Sequence, residues 1–169
     1  SLHDALPIWE YFLNRFRGNE DCDLQSLIGM EIEEEEEQTL IGFCVLGGIF
    51  GEGIDLKKDS LIGVIVVGTG LPQVGCEREI LKDYFDDNGE NGFDYSYRYP
   101  GMNKVLQAAG RVIRTAEDVG IIVLLDERFR QYSYRRMFPR EWEQVVPVTV
   151  DTVAKKVERF WDAWLWQQR

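Results

Sequence analysis

Gly120-Ile121-Ile122-Val123-Leu124-Leu125-Asp126 is the clearest strand signal in this chain. Five consecutive apolar residues bounded by Gly and Asp are typical of a strand that is buried on both faces. Two similar apolar runs lie upstream, at Leu40–Leu46 and Leu61–Val67. Strands of this kind occur mostly in parallel sheets that are covered by helices, so the sequence predicts an α/β fold.

Segments with helical periodicity alternate with these apolar runs, as in other α/β chains. The predicted helices are Trp9–Phe16, Glu77–Phe85, Met102–Thr115 and Val150–Trp166. We interpret Asp86–Tyr99 as a polar loop rich in Gly and Tyr, and Val145–Val148 as a short strand. Ligands bind at the carboxyl ends of strands in parallel sheets, so the segments that follow the apolar runs are candidate sites.

Three parts of the chain differ in composition. Residues 1–8 lack an initiator Met, and Asp4–Ile8 resembles a translated sequencing adaptor, so we treat residues 1–8 as a possible assembly artefact. Residues 9–39 hold the first predicted helix and an acidic insertion with Glu31 and Glu33–Glu37, whose like charges favour a solvated loop. Residues 40–169 form the predicted α/β domain. We expect the whole to be a fragment of a longer protein.

Charge is distributed unevenly along the 169 residues, whose net charge is −11. Residues 1–97 contain 6 Lys/Arg and 21 Asp/Glu, residues 98–140 contain 9 and 4, and residues 141–169 contain 4 and 5. An acidic chain with one basic third suits a domain that presents this part to phosphate groups, and chance clustering is the alternative. No apolar run reaches the roughly 18 residues that cross a membrane, so we expect no membrane partner.

The cysteines indicate neither a metal site nor a disulfide. Cys22, Cys44 and Cys76 are odd in number and far apart, and the only histidine, His3, lies in the suspect first stretch. We therefore expect free thiols, no bound metal and a reducing, cytoplasmic location.

A glycine loop, Gly47-Gly48-Ile49-Phe50-Gly51-Glu52-Gly53-Ile54-Asp55, follows the first apolar run. Its backbone N–H groups could bind phosphate oxygens, and Glu52 and Asp55 could accept hydrogen bonds from a ribose or hold an arginine. A tight turn that needs glycine for its shape alone is the simpler alternative. No Gly-Lys-Ser/Thr occurs in the sequence, so the chain has no Walker A loop to cradle a nucleotide.

The arginine motif, Gln107-Ala108-Ala109-Gly110-Arg111-Val112-Ile113-Arg114, carries the strongest functional signal. On a continuous helix, steps of four and three residues bring Gln107, Arg111 and Arg114 to one face. Two guanidinium groups there suit the phosphates of a nucleotide, and an arginine finger stabilises the charge that develops in phosphoryl transfer. An ordinary polar helix face with ion pairs is the alternative interpretation.

Other polar and aromatic residues leave alternatives open. Asp126 is a candidate to hold an arginine of the motif, and structural pairing is equally plausible. Tyr95, Tyr97 and Tyr99 could stack on nucleobases, although packing is the preferred interpretation. We favour helix packing for four of the five tryptophans, which are Trp142, Trp161, Trp164 and Trp166.

In order and spacing, these segments resemble the second RecA-like motor domain of superfamily 2 DNA helicases, in the XPD/DinG-like iron–sulfur branch. Gly47–Leu56 is similar to helicase motif V, and Gln107–Arg114 matches the motif VI pattern Gln-x-x-Gly-Arg-x-x-Arg without departure. The match continues through Asp118, Gly120 and Asp126–Phe129. The resemblance implies a RecA-like parallel β-sheet sandwiched by helices.

The resemblance extends from about Leu40 to Trp142, with one departure at Gly51, where this branch often has Ser or Trp. It implies that Arg114 is the arginine finger, and that Arg111 and Gln107 help it to sense the γ-phosphate of ATP bound with Mg²⁺. These roles place the motif in a cleft between two motor domains.

For the glycine loop, the resemblance implies coupling between the nucleotide and the DNA track. Glu52, Gly53 and Asp55 would carry this link on the nucleotide side. The backbone near Gly47 and Gly48 would contact DNA phosphates. We expect no side-chain contact with DNA at Gly51, where the sequence departs from the family pattern.

The resemblance also implies what lies elsewhere in the protein. Walker A, Walker B and a four-cysteine iron–sulfur cluster belong to an N-terminal motor domain, the expected partner within the same chain. Single-stranded or forked DNA is the expected substrate, and DNA repair a candidate pathway. We expect negligible ATPase activity from these residues alone. The alternatives are a stand-alone module that binds nucleic acid or protein, and an unrelated α/β enzyme using Glu52, Asp55 and Asp126 in acid–base chemistry.

Overall fold

The computed structural model describes residues 41–48, 61–115, 117–142 and 144–167. The chain divides into two compact units, the first ending at Asp126 and the second beginning at Glu127. The predicted helix Trp9–Phe16, the acidic insertion, Cys22 and residues 49–60 lie outside the described residues.

Two of the three apolar runs form a small parallel sheet, as predicted. β1 (Gly63–Val67) pairs with β2 (Ile121–Leu125), with Gly63 opposite Ile121 and Val67 opposite Leu125. Parallel strands need a long crossover, and it contains α1 (Cys76–Asp87) and α2 (Tyr99–Ala109). The predicted α/β class and the first of these helices are confirmed.

The prediction of burial on both faces is wrong for β1, whereas β2 is half-buried from Ile121 to Leu124. Val66 is 3% exposed, but its neighbours Ile65 and Val67 are 65% and 75% exposed. Successive side chains of a strand lie on opposite faces of the sheet. Among the described residues, α2 packs on β1 and no layer covers the opposite face. An apolar run indicates a preference for burial but does not specify the element that covers it.

Two other predicted strands do not form within the described ranges. Residues 41–45, from the run Leu40–Leu46, form neither a strand nor a helix, and Phe43 is 96% exposed. Residues 144–149, which include Val145–Val148, also contain no strand. A strand exists only where a neighbour pairs with it, and the apolar pattern of a segment cannot indicate whether that neighbour is present.

The segment Asp86–Tyr99 is helical over much of its length, so the prediction of a polar loop is wrong. The backbone becomes helical at residue 92, forms a π-helical segment at Asp94–Arg98 and continues directly into α2. Arg98 forms an ion pair with Asp94, four residues earlier on the same helical face. The Gly and Asn content of the segment hid this helical spacing.

One face of α2 forms the core of the first unit. Its buried residues recur at helical spacing and are Gly101, Met102, Val105 and Ala109. The core of the second unit is aromatic. It includes Phe129, which is 5% exposed, and Tyr134, which is 2% exposed. Their rings contact each other edge to face, with centroids 6.2 Å apart.

The second unit contains a 3-10 turn (Glu127–Arg130), α3 (Tyr132–Arg135) and α4 (Val150–Gln167). The predicted C-terminal helix is confirmed as α4. At its start, the side chain of Thr152 accepts a hydrogen bond from the Thr149 N–H at 2.9 Å, which is one half of a capping box. The half-buried residues of α4 lie on one helical stripe and are Val153, Val157, Trp161 and Trp164. Trp166 is 74% exposed.

Candidate functional site

The arginine motif crosses the end of α2 rather than lying within it. Gln107 is exposed on the last turn of the helix. The N–H groups of Arg111 and Val112 bond back only three residues, at 3.2 and 3.1 Å. Such bonds tighten the last turn and close the helix. The prediction that Gln107, Arg111 and Arg114 share one helical face is therefore wrong.

Burial of Val112 explains why the chain leaves the helix. This side chain is 3% exposed, and a Cβ built on Gly120 would lie only 2.1 Å from its Cγ1. Only glycine leaves room for so close a contact. Arg111 is half-buried, whereas Arg114 is exposed. The contact thus ties the end of α2 to the start of β2 and leaves Arg114 at the surface.

The carboxylate of Asp118 holds the backbone at Arg114. Its Oδ2 accepts hydrogen bonds from the N–H groups of Arg114 at 2.9 Å and of Thr115 at 2.7 Å. These bonds lower the pKa of Asp118 below its ordinary value. Asp118 is therefore a positioning residue for Arg114. The signal in the sequence is an Asp that follows the arginine closely enough to bond its backbone.

The first glycines of the glycine loop lie against α2. Gly47 has a φ of +77°, in the left-handed region that favours glycine, and Gly48 N–H donates to the Val45 carbonyl at 2.9 Å. Lys104 crosses this turn, because a Cβ built on Gly47 would lie 3.0 Å from its Cδ and 3.3 Å from its Nζ. Lys104 precedes Gln107 by one helical turn. Sequence analysis missed this lysine, although its spacing from Gln107 was visible.

The loop after β1 packs backbone to backbone on α2. A Cβ built on Gly101 would lie 2.6 Å from the Thr69 carbonyl oxygen and 3.1 Å from the Leu71 nitrogen. A Cβ on Gly70 would lie 2.9 Å from Leu46 Cδ2. The glycine turn, this loop and the first half of α2 therefore meet at the carboxyl end of β1. Ligands of parallel α/β sheets bind at this edge.

The tyrosines of the crossover pack on neighbouring aromatic rings. Tyr95 stacks on Phe85 with ring centroids 4.1 Å apart. Tyr97 stacks on Phe93 at 5.5 Å, is 4% exposed and donates a hydrogen bond to a Glu79 carboxylate oxygen. Tyr99 contacts Tyr95 edge to face at 5.2 Å. These ring contacts confirm the packing interpretation.

Several predicted site residues stay predictions. Glu52, Gly53 and Asp55 lie outside the described residues. Asp126 is half-buried directly after β2, and its predicted role toward an arginine is untested. Cys44 and Cys76 are free thiols.

The described ranges contain no group of three or more His, Cys, Asp or Glu side chains that could hold a metal ion. None of the helices described here combines the length and the apolar character that a membrane crossing requires.

The model of the helicase C-terminal domain family matches residues 10–145. A regulator of telomere elongation helicase 1 homolog from Caenorhabditis elegans is 30% identical over 140 residues, which are 76% of this chain and 14% of that protein. A probable ATP-dependent helicase from Methanocaldococcus jannaschii is 27% identical over 151 residues, 80% of this chain and 23% of the relative. The ATP-dependent DNA helicase DinG of Photobacterium profundum is 35% identical over 89 residues, 52% and 13% of the two chains.

The chain spans less than a quarter of the length of each of these relatives. The family match covers well over half of the chain and includes both the glycine loop and the complete arginine motif. The match agrees with the helicase resemblance inferred from these two segments. The chain belongs to the helicase C-terminal domain family.

Proposed function

We propose that this chain is the second motor domain of an ATP-dependent DNA helicase, in which ATP hydrolysis drives movement along single-stranded DNA. The family match over residues 10–145, which include the whole arginine motif, carries this proposal. It favours neither the stand-alone binding module nor the acid–base enzyme. We infer that β1 and β2 belong to a larger RecA-like sheet. The exposed apolar face of β1 and the exposed run at residues 41–45 support this inference, because both need covering.

Arg114 is the proposed arginine finger. It lies at the surface just beyond α2, and Asp118 fixes its backbone, so the guanidinium has a rigid support at a face that a second domain can approach. Arg111 and Gln107 are the proposed sensors of the ATP γ-phosphate. When bound, ATP with Mg²⁺ supplies the phosphoryl group whose transfer the finger accelerates. ATP with Mg²⁺ would be shared with the N-terminal motor domain, and the iron–sulfur cluster would belong to that domain alone.

The turn at Gly47 and Gly48 is the proposed DNA contact of this unit. The Gly48 N–H already has a partner within the turn, whereas Lys104 Nζ places a cation beside Gly47. A lysine on a phosphate strengthens DNA binding without reading the sequence. Lys104 and Gln107 lie one turn apart on α2, which supports a rigid link between the DNA and the nucleotide. Glu52, Gly53 and Asp55 are proposed to complete that link.

The test is Arg114→Ala in the protein that carries both motor domains. An arginine finger contributes a factor of about 10³ to 10⁵ to kcat, so we expect a loss of at least about 10³ in DNA-stimulated ATP turnover. Binding of a non-hydrolysable ATP analogue should change little. Arg159→Ala, at an exposed position of α4, is the matched control and should retain full turnover. Unchanged turnover in Arg114→Ala would refute the assignment of the finger.

A further inference from the structure

A basic depression lies in the second unit, outside both the glycine loop and the arginine motif. It has a volume of about 390 Å³, is open to solvent, and is lined by Arg130, Tyr132, Arg135 and Arg136. Residues 127–142 contain five Arg and two Glu, whereas the whole chain has a net charge of −11. The volume is in the range of small-ligand sites and accommodates a phosphate with an attached ring.

The lining residues are mounted on the aromatic core of the unit. Arg130 directly follows the buried Phe129, and Arg135 directly follows the buried Tyr134. The backbone between them is closed by hydrogen bonds, including Arg135 N–H to the Gln131 carbonyl at 3.0 Å. The arginines therefore project from a fixed backbone, which lowers the entropy that is lost when they bind an anion.

Two of the three arginines that line the depression are not neutralised by an ion pair among the described residues. In the part of the chain that the structure describes, Arg130 and Arg135 have no ion-pair partner. Guanidinium groups bind phosphate oxygens through two parallel N–H donors, so a cluster of them attracts a phosphate strongly. Tyr132 lines the same depression and is 82% exposed. An exposed ring beside cations is the arrangement that binds an unpaired base and its phosphate.

We propose that the depression lined by Arg130, Tyr132, Arg135 and Arg136 binds single-stranded DNA, with Arg130 and Arg135 on a backbone phosphate and a base stacked on Tyr132. The proposal rests on the proposed function, because that function supplies DNA as the ligand. It adds a DNA contact on the unit that follows β2. An acidic protein segment would use the arginines but would have no need of the tyrosine ring, so Tyr132 favours DNA.

The test measures binding of a fluorescein-labelled strand of about 16 thymidylates to the 169-residue chain by fluorescence anisotropy. The double variant Arg130→Ala/Arg135→Ala should bind at least about tenfold more weakly. Its plot of log affinity against log salt should be shallower by about 0.7 for each phosphate contact that is lost. The control Lys155→Ala/Arg159→Ala removes the same charge from exposed positions of α4 and should leave the affinity and the slope unchanged.

The tyrosine is tested separately. Tyr132→Ala should weaken binding by about tenfold with an unchanged salt slope, because stacking of a base does not release counterions. Tyr132→Phe keeps the ring and should bind as the unaltered chain does. Circular dichroism checks that each variant is folded, which we expect because Arg130, Tyr132 and Arg135 are all exposed.

Two results would overturn the proposal. One is unchanged affinity and salt slope in the arginine double variant. The other combines two observations: the arginine double variant loses binding to polyglutamate as much as binding to DNA, and Tyr132→Ala has no effect on DNA binding. Together they would indicate a surface that binds acidic proteins. Neither result bears on Arg114, whose test is ATP turnover. A negative result for the depression therefore does not contradict the motor-domain proposal. A negative result for Arg114 likewise does not contradict DNA binding at the depression.

Discussion

Replacement of Gly120 by alanine tests the contact that ends α2. The added methyl would lie 2.1 Å from Val112 Cγ1 and 3.0 Å from the Ile62 carbonyl oxygen. Since Val112 is 3% exposed, its side chain must move by more than about 1 Å within packed surroundings. Overpacking of this kind lowers the free energy of unfolding by about 1–3 kcal/mol. We expect a value near the middle of this range for Gly120→Ala.

Val112→Ala supplies the second arm of a double-mutant cycle. The change removes two buried methyl groups, which costs about 1.6 kcal/mol in transfer free energy and a little more for the cavity, so about 2 kcal/mol in all. In the double variant, the methyl added at position 120 occupies part of the space that the valine leaves. We therefore expect the double variant to lose about 2 kcal/mol, rather than about 4 if the changes were additive.

The assay is urea unfolding of the 169-residue chain, followed by circular dichroism. Gly63→Ala is the matched control. At this exposed start of β1 an added Cβ would meet only the Ile121 carbonyl oxygen, at 3.4 Å, so stability should change by less than about 0.5 kcal/mol. Additivity of Gly120→Ala and Val112→Ala to within about 0.5 kcal/mol would refute the packing of Val112 on Gly120. The explanation for the end of α2 would then fail as well.

Two further changes test the residues around the candidate site. Gly101→Ala should lower the free energy of unfolding by about 1–2 kcal/mol, because the added Cβ would meet the Thr69 carbonyl at 2.6 Å and better helix propensity offsets only about 1 kcal/mol. If the urea midpoint of Gly101→Ala equals that of Gly63→Ala, the predicted loss of stability is contradicted. The lowered pKa of Asp118 means that its contribution to stability is present above about pH 3.9 and is lost as the pH falls through the folded-state pKa. In Asp118→Asn, the urea midpoint should therefore decrease less below about pH 5 than in the unaltered chain. If the midpoint depends on pH in the same way in both proteins, the carboxylate does not stabilise the turn at Arg114.

The elements that sequence analysis predicted correctly are those with strong local signals. β1 and β2 are continuous apolar runs bounded by turns, and α4 has a periodic apolar stripe. Such features depend on neighbours within one or two turns of the chain, which the sequence displays directly. The chemistry of the arginine motif was visible for the same reason, because residue types and spacing are local information.

The failures share a different cause. The π-helical segment Asp94–Arg98 depends on stacking against α1, as in the contact of Tyr95 with Phe85. Burial of a strand face and pairing of residues 41–45 both depend on elements elsewhere in the chain. No pattern inside a segment reveals these partners.

The sequence by itself determined the α/β class, the two strands of the sheet and the family to which the arginine motif belongs. Only the tertiary structure decided that Gln107 lies on α2 while Arg114 lies beyond it, because burial of Val112 against Gly120 outweighs continuation of the helix. It also brought Lys104 beside Gly47, and gathered Arg130, Tyr132 and Arg135 around one depression. Spacing along a chain limits which residues can meet, and packing between distant segments selects the ones that do.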